Sequence, residues 1–154
     1  MSAGDALRVL VVDDDQDTID SLAMLLRHWG HEVQLAREGE TALKLADSLR
    51  PQLLLVDLAM PGMDGLQFAR RLRSHPHFSK TPLIAVTGLG DPSHRQQAAD
   101  AGFDDFVVKP YSLGRLLEVI ARVQLSVALA KQSGSSDAPA ISEMAVANSD
   151  AAQV

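Results

Sequence analysis

Five short apolar runs, at residues 8–12, 33–35, 53–56, 83–86 and 106–108, recur along the chain with segments of helical spacing between them. The runs are continuous rather than alternating in polarity, the pattern of strands covered by helices on both faces of a parallel sheet. Between them, Ile19, Leu22, Ala23 and Leu26, then Ala42, Leu45, Ala46 and Leu49, then Leu113, Leu116, Leu117 and Ile120 follow an i, i+3, i+4, i+7 rhythm. Each set gives a helix one apolar stripe to lay on the sheet. Leu66, Ala69 and Leu72 continue the theme, and a weaker helix is predicted over 93–101. Strand and helix alternating in this way predict an open, doubly wound α/β domain, (βα)5, with right-handed crossovers. Trp29 and the Leu/Met stripe of the first helix read as core packing.

Punctuation agrees with these boundaries. Gly30 and Gly102 stand where helix C-termini should fall, Pro51 follows the second helix, and Ser112 is placed to cap the last. A length of 154 residues suits one domain. That domain is expected to occupy 1–130, and the Ser/Ala-rich stretch 131–154, which lacks apolar periodicity, is expected to be a disordered tail. The 14 basic residues against 20 acidic ones leave a formal charge of −6, so nucleic acid offers no counterion gain and is not an expected partner. There are no cysteines, which removes disulfides, thiolate metal sites and thiol catalysis together. No basic segment followed by a long apolar one opens the chain, so neither a signal peptide nor a membrane span is expected, and the expected location is cytoplasmic. Met1 so close to the first strand suits an independent protein.

In an open parallel sheet the ligand site lies at the carboxyl ends of the strands. There the sequence places Asp13, Asp14 and Asp15 after the first run, Asp57 after the third, Thr87 after the fourth, and Lys109 followed by Pro110 after the fifth. Crowded carboxylates repel one another, so some protonate unless a cation joins them. Oxygen-only ligands suit a hard divalent ion, Mg²⁺ above all, which prefers few carboxylates, waters and a phosphate oxygen. Lys109 and Thr87 would serve the other oxygens of that phosphate, one by charge and one by hydrogen bond. A carboxylate beside a metal and a lysine can also act as a nucleophile and form an aspartyl phosphate.

The ordered segments VLVVDDD, LLLVDLAMPGMDG, PLIAVTG and DDFVVKP together resemble the receiver domain of two-component response regulators, over roughly residues 7–125. The resemblance implies a flavodoxin-like strand order, 2-1-3-4-5. It further implies that Asp57 accepts a phosphoryl group from a histidine kinase or phosphotransfer protein. Asp13 and Asp14 match the metal-binding acidic pair, with Asp14 as the direct ligand, and Asp57 with the backbone carbonyl of Ala59 completes the protein's share. Thr87 matches the switch hydroxyl, Lys109 the phosphate-binding lysine and Phe106 the switch aromatic, whereas Asp15 lies outside the matched pair. On this reading the chain is a stand-alone phosphoacceptor, monomeric or weakly dimeric, and not an enzyme acting on other substrates. It signals to a downstream protein through the face made by its fourth helix, fifth strand and fifth helix.

Switching follows from charge. A phosphoryl group adds about −1.5 to −2 charges and three acceptors. Thr87 and Lys109 reach those acceptors by drawing their loops inward, which opens room for Phe106 to turn in and repack the nearby surface. Gly88 and Gly90 are expected to give the loop after Thr87 its freedom. Two residues beyond Asp57 and Thr87 stand Ala59 and Leu89, positions that in the family govern how readily water reaches the aspartyl phosphate. Neither can orient a water, so slow self-dephosphorylation is expected.

Competing motifs fail on their details. Asp13, Asp15 and Asp17 imitate an EF-hand opening, but Thr18 stands where glycine belongs and Met24 where glutamate belongs. Asp57-Leu58-Ala59 lacks the second acid of a haloacid-type phosphatase, three aspartates would repel a flavin phosphate, and Gly88-Leu89-Gly90 lacks the third glycine of a dinucleotide fingerprint. The five histidines, none at ligand spacing from a carboxylate, are expected at the surface or at helix ends.

Overall fold

In the computed structural model, which describes residues 6–133, the first apolar run becomes β1 (Arg8–Val12), paired in parallel with β2 (Glu32–Ala36) on one side and β3 (Leu53–Val56) on the other. β4 (Leu83–Thr87) adds to β3, and β5 (Asp105–Val108) adds to β4. The sheet order is therefore 2-1-3-4-5, the doubly wound, flavodoxin-like arrangement. Successive residues of a strand point to opposite faces, so β1 sends Val9 and Val11 to one core and Leu10 and Val12 to the other.

Five helices cover those cores: α1 (Gln16–His28), α2 (Gly39–Leu49), α3 (Gly65–Arg73), α4 (Pro92–Ala101) and α5 (Leu113–Ser133). On one face α1 and α5 bury Ile19, Leu22, Leu26, Leu116, Val119, Ile120 and Val123. On the other α2, α3 and α4 bury Ala42, Ala46, Phe68, Leu72, Ala98 and Ala101. Each large side chain removed from water stabilises the fold by roughly 1.5–3 kcal/mol before entropy is counted. The helix starts are capped as their residues dictate: Asp15 accepts from Thr18 N–H, Asp64 and Gln67 form a capping box, Asp91 precedes Pro92, and Ser112 Oγ accepts from Arg115 N–H. Gly102 ends α4 in the left-handed conformation at φ 112°, and Arg50 ends α2 at φ 52° just before Pro51.

Several expectations need correction. β2 alternates in burial rather than being continuous, because it is an edge strand with one face only partly covered. The buried stripe of α5 is Leu116, Val119, Ile120 and Val123, while the expected Leu113 and Leu117 are 57% and 43% exposed. Leu116 and Ile120 of the expected set do face the core, and Val119 and Val123 take the places expected for Leu113 and Leu117. α4 begins at Pro92, one residue earlier than expected, and α5 continues to Ser133, past the expected end of the domain at 130. The rest of the expected tail, 134–154, lies outside the described residues. Met24 is 73% exposed and takes no part in the core of α1, whereas Trp29 packs partly buried against it.

Two histidines also depart from expectation. His31 is buried at 4% exposure, with Nδ1 accepting from Leu7 N–H at 3.0 Å. His94 does meet a carboxylate, that of its helix cap Asp91. Among the described residues no helix is long and apolar enough to cross a membrane.

Candidate functional site

The parallel ladder runs on for one residue past several strand ends and so fixes the backbone of the side chains that matter. Asp13 N–H donates to Ala36 O at 3.1 Å, Asp57 N–H to Val12 O at 2.9 Å and Lys109 N–H to Thr87 O at 2.9 Å. Asp13 and Asp57 are buried there at 3% and 8% exposure, and Thr87 is fully buried. Asp14 follows Asp13, and its carbonyl accepts twice from the Arg37 guanidinium, at 3.3 and 3.0 Å, which ties the loop after β1 to the end of β2. Nothing in the apolar pattern singles out Arg37.

The resulting cluster is tight. Asp13, Asp14 and Asp57 each present a carboxylate oxygen within 4.8 Å of the other two. Lys109 Nζ donates to Asp13 Oδ2 at 2.7 Å and to Asp57 Oδ2 at 3.2 Å, bridging two of the three. At 4.8 Å a pair of like charges still repels by about 3 kcal/mol at an effective dielectric of about 20, so one ammonium leaves the site short of positive charge. Burial pushes the Asp13 carboxyl above the usual carboxylate range, against the hydrogen bonds it receives from Lys109 and Asp15 N–H. Burial opposes the charge on Lys109 too, but the Asp13 hydrogen bond and the charges of Asp57 and Asp13 outweigh it and hold the ammonium above its ordinary value. Three clustered oxygen donors with uncompensated charge fit a small hard cation such as Mg²⁺.

Asp15 stands apart, as expected. It is exposed and spent as the cap of α1, accepting from both Thr18 N–H and Thr18 Oγ1, which keeps its carboxyl below the usual range. Ala59 is held beside the site by its N–H, which donates to Asp57 Oδ1 at 3.2 Å. The Thr87 hydroxyl accepts from Leu89 N–H at 3.3 Å. Phe106, opposite Ala85 across the β4–β5 ladder, is already down to 9% exposure and belongs to the core cluster of α2, α3 and α4. Pro110 follows Lys109 through a cis peptide bond, and Tyr111 beyond it is half-buried, which pushes its hydroxyl pKa up.

Glycines in the surrounding loops serve closer purposes than freedom. A Cβ on Gly65 would stand 2.7 Å from Leu58 Cα and closer still to the Asp57 carbonyl, so only glycine lets α3 begin against the chain that carries Asp57. A Cβ on Gly90 would lie 2.9 Å from Val108 Cγ2, so Gly90 allows the β4–α4 loop to lean on β5, and neither Gly88 nor Gly90 takes a positive φ. Gly62 does, at 74°, in the turn after Pro61.

This arrangement coincides with a known family: the model of the response regulator receiver domain matches residues 9–121. The chain belongs to that family. Receiver domains are signalling domains of two-component systems. Response regulator MprA of Mycolicibacterium vanbaalenii is 40% identical over 111 residues, which are 72% of this chain and 47% of that protein. The chain spans about half the length of the curated relatives it matches, 47% of that protein and 56% of response regulator MprA from Mycobacterium sp. (strain KMS). Among solved structures, chemotaxis protein CheY4 of Vibrio cholerae superposes with a TM-score of 0.73 at 30% identity, over 77% of this chain and 98% of that one. The receiver domain of sensor histidine kinase PA1611 from Pseudomonas aeruginosa does so with a TM-score of 0.73 at 26% identity, over 79% and 99%, and in it a magnesium ion is coordinated in the active site cleft.

Proposed function

We propose that this receiver domain takes a phosphoryl group onto Asp57 from a phosphohistidine of a histidine kinase or phosphotransfer protein, and that the modified domain then acts by protein contact. The observation that carries the reading is the position of Lys109 Nζ between Asp13 and Asp57, which aims one cation at the carboxylate best placed to be modified. An oxygen of Asp57 attacks the donor phosphorus, the P–O bond forms as the P–N bond breaks with its electron pair going to nitrogen, and the donor imidazole, protonated at its other nitrogen, leaves as the neutral ring. Asp13, Asp14 and Asp57, with the carbonyl of Ala59, are the groups that would hold Mg²⁺. The ion, when bound, supplies neutralisation of the charge on the transferring oxygens. Lys109 then leaves Asp13 for a phosphoryl oxygen, and Thr87 donates its hydroxyl to another once the β4–α4 loop draws inward.

The motion carries to the surface through Phe106, on the strand paired with the one that ends in Thr87, and the face formed by α4, β5 and α5 is the surface it would change for a partner.

The test is the intact mass of the protein after incubation with acetyl phosphate and Mg²⁺, and separately with phosphoramidate, beside an Asp57→Asn variant and a chelated sample. One phosphoryl adduct, absent from Asp57→Asn and from the chelated sample, is the expected result. Folded wild type that takes no adduct from either donor, or from a phosphorylated histidine phosphotransfer domain, would overturn the reading.

A further inference from the structure

Arg95, on the first turn of α4, spends its guanidinium on two groups that lie in different elements. Its Nε donates to the carbonyl of Gly90 at 3.0 Å, and its Cζ stands 4.8 Å from the centroid of the Phe106 ring. Gly90 belongs to the loop that leaves Thr87, and Phe106 to the strand hydrogen-bonded to β4. Among the described residues no carboxylate lies within ion-pair distance of Arg95; the nearest acid in sequence, Asp91, is engaged with His94. An exposed guanidinium with no acidic partner among the described residues is set against a carbonyl and a ring face.

The surroundings leave that pair little freedom. Gly90 leans on Val108, so the loop, β5 and the start of α4 are in close contact at one point. The Phe106 ring is covered to 9% exposure although Asp57 carries no phosphoryl group here, and the guanidinium lies over its face. An inward pull on Thr87 draws Gly90, three residues on, away from Arg95, while the Phe106 ring, already buried in the core, keeps the guanidinium where it is. The loop displacement that the proposed switch requires therefore breaks the hydrogen bond by which this side chain ties the loop to the ring.

We propose that Arg95 is a positioning residue that latches the β4–α4 loop to the switch aromatic and so sets how readily the unmodified domain reaches its phosphorylation-ready arrangement. The inference rests on the reading of Asp57 as phosphoacceptor and adds to it a brake supplied by this chain's own α4. A latch that favours the resting arrangement lowers the population of the competent one, and the observed rate of modification falls by the same fraction. Removing it is expected to accelerate phosphorylation about fivefold, the equivalent of about 1 kcal/mol at 1.36 kcal/mol per tenfold.

The experiment follows the initial rate of adduct formation by intact mass for the full chain and for Arg95→Ala, Arg95→Lys and Asp57→Asn, with acetyl phosphate and Mg²⁺. Protein labelled with 4-fluorophenylalanine reports the four phenylalanines by ¹⁹F resonance, Phe106 being assigned by its absence from Phe106→Leu. Arg95→Ala should modify faster and shift the Phe106 resonance before any phosphoryl donor is added. Arg95→Lys keeps a cation near the ring without the planar fork and should fall between it and wild type. Arg95→Gln replaces Arg95→Ala if the latter does not fold. A folded variant that modifies at the wild-type rate, or more slowly, overturns the latch while leaving the phosphoacceptor reading intact. Wild type that forms no adduct overturns both, and a changed melting temperature with an unchanged rate and Phe106 resonance assigns Arg95 a purely structural role.

Discussion

The convergence of the site's groups was legible residue by residue because each is of a type that little else explains at a strand end. Asp13, Asp14, Asp57 and Lys109 converge as the sequence implied, and Asp15 turns out to be the helix cap. Arg37, Arg95 and the close approach at Gly65 were not legible, since an exposed arginine or a lone glycine gives no signal until its neighbours in space are known. The flanking positions do permit a prediction. Ala59 is exposed beside Asp57 with only its backbone N–H turned to the carboxylate, and Leu89 presents an aliphatic side chain that is 36% exposed. Neither can hold a water in line with a phosphoryl group. A positioned proton acceptor is worth about 10²–10⁴ in rate and an amide that merely orients water is worth less, so Ala59→Asn should shorten the phosphoryl lifetime about three- to tenfold. The decay of the intact-mass adduct after removal of the donor measures it, and an Ala59→Asn adduct that outlives the wild-type one would contradict the account.

At the scale of elements, existence and order were readable and facing was not. Strands β1, β3 and β4 announced themselves because both of their faces are buried, while β2 blurred because an edge strand needs only one apolar face. α5 shows the limit most clearly. Leu113 and Leu117 satisfy the helical rhythm as well as Leu116 and Ile120 do, yet the two sets point in different directions and only the second meets the sheet. The distinction is measurable as stability. Leu116 is fully buried, so Leu116→Ala leaves a cavity and should lower the unfolding free energy by about 2–5 kcal/mol. Leu117, 43% exposed, should lose under about 1 kcal/mol on the same change, because much of its surface already faces water. Urea denaturation of the two variants under one condition decides the matter, and equal losses would place the buried stripe where the sequence alone first suggested.

For the whole molecule, the response to acid depends on whether a proton is bound more tightly by the folded or the unfolded chain. His31 sits between the end of α1 and the start of β2, where its N–H donates to Leu26 O and its Nδ1 accepts from Leu7 N–H. That bond requires the neutral ring, Nε2 is buried without a partner among the described residues, and burial holds the pKa below its ordinary 6.5. The unfolded histidine takes up a proton near 6.5 and the folded one only at lower pH. The stability due to neutral His31 is therefore complete above about pH 6.5 and drains away as pH falls toward the folded value, by at most about 1.4 kcal/mol per pH unit. Asp13 and Asp104 act in the opposite sense. Burial raises both of their pKa values above 3.8, so the folded chain takes up those protons first and gains stability as pH falls further. His31→Asn can still accept from Leu7 and cannot titrate in this range, so it isolates the histidine. Its unfolding free energy should be lower than wild type at pH 7.5, yet should change less between pH 7.5 and 5.5. Parallel curves for the two proteins would mean that the acid sensitivity of the fold lies elsewhere than in the buried ring that joins α1, β1 and β2.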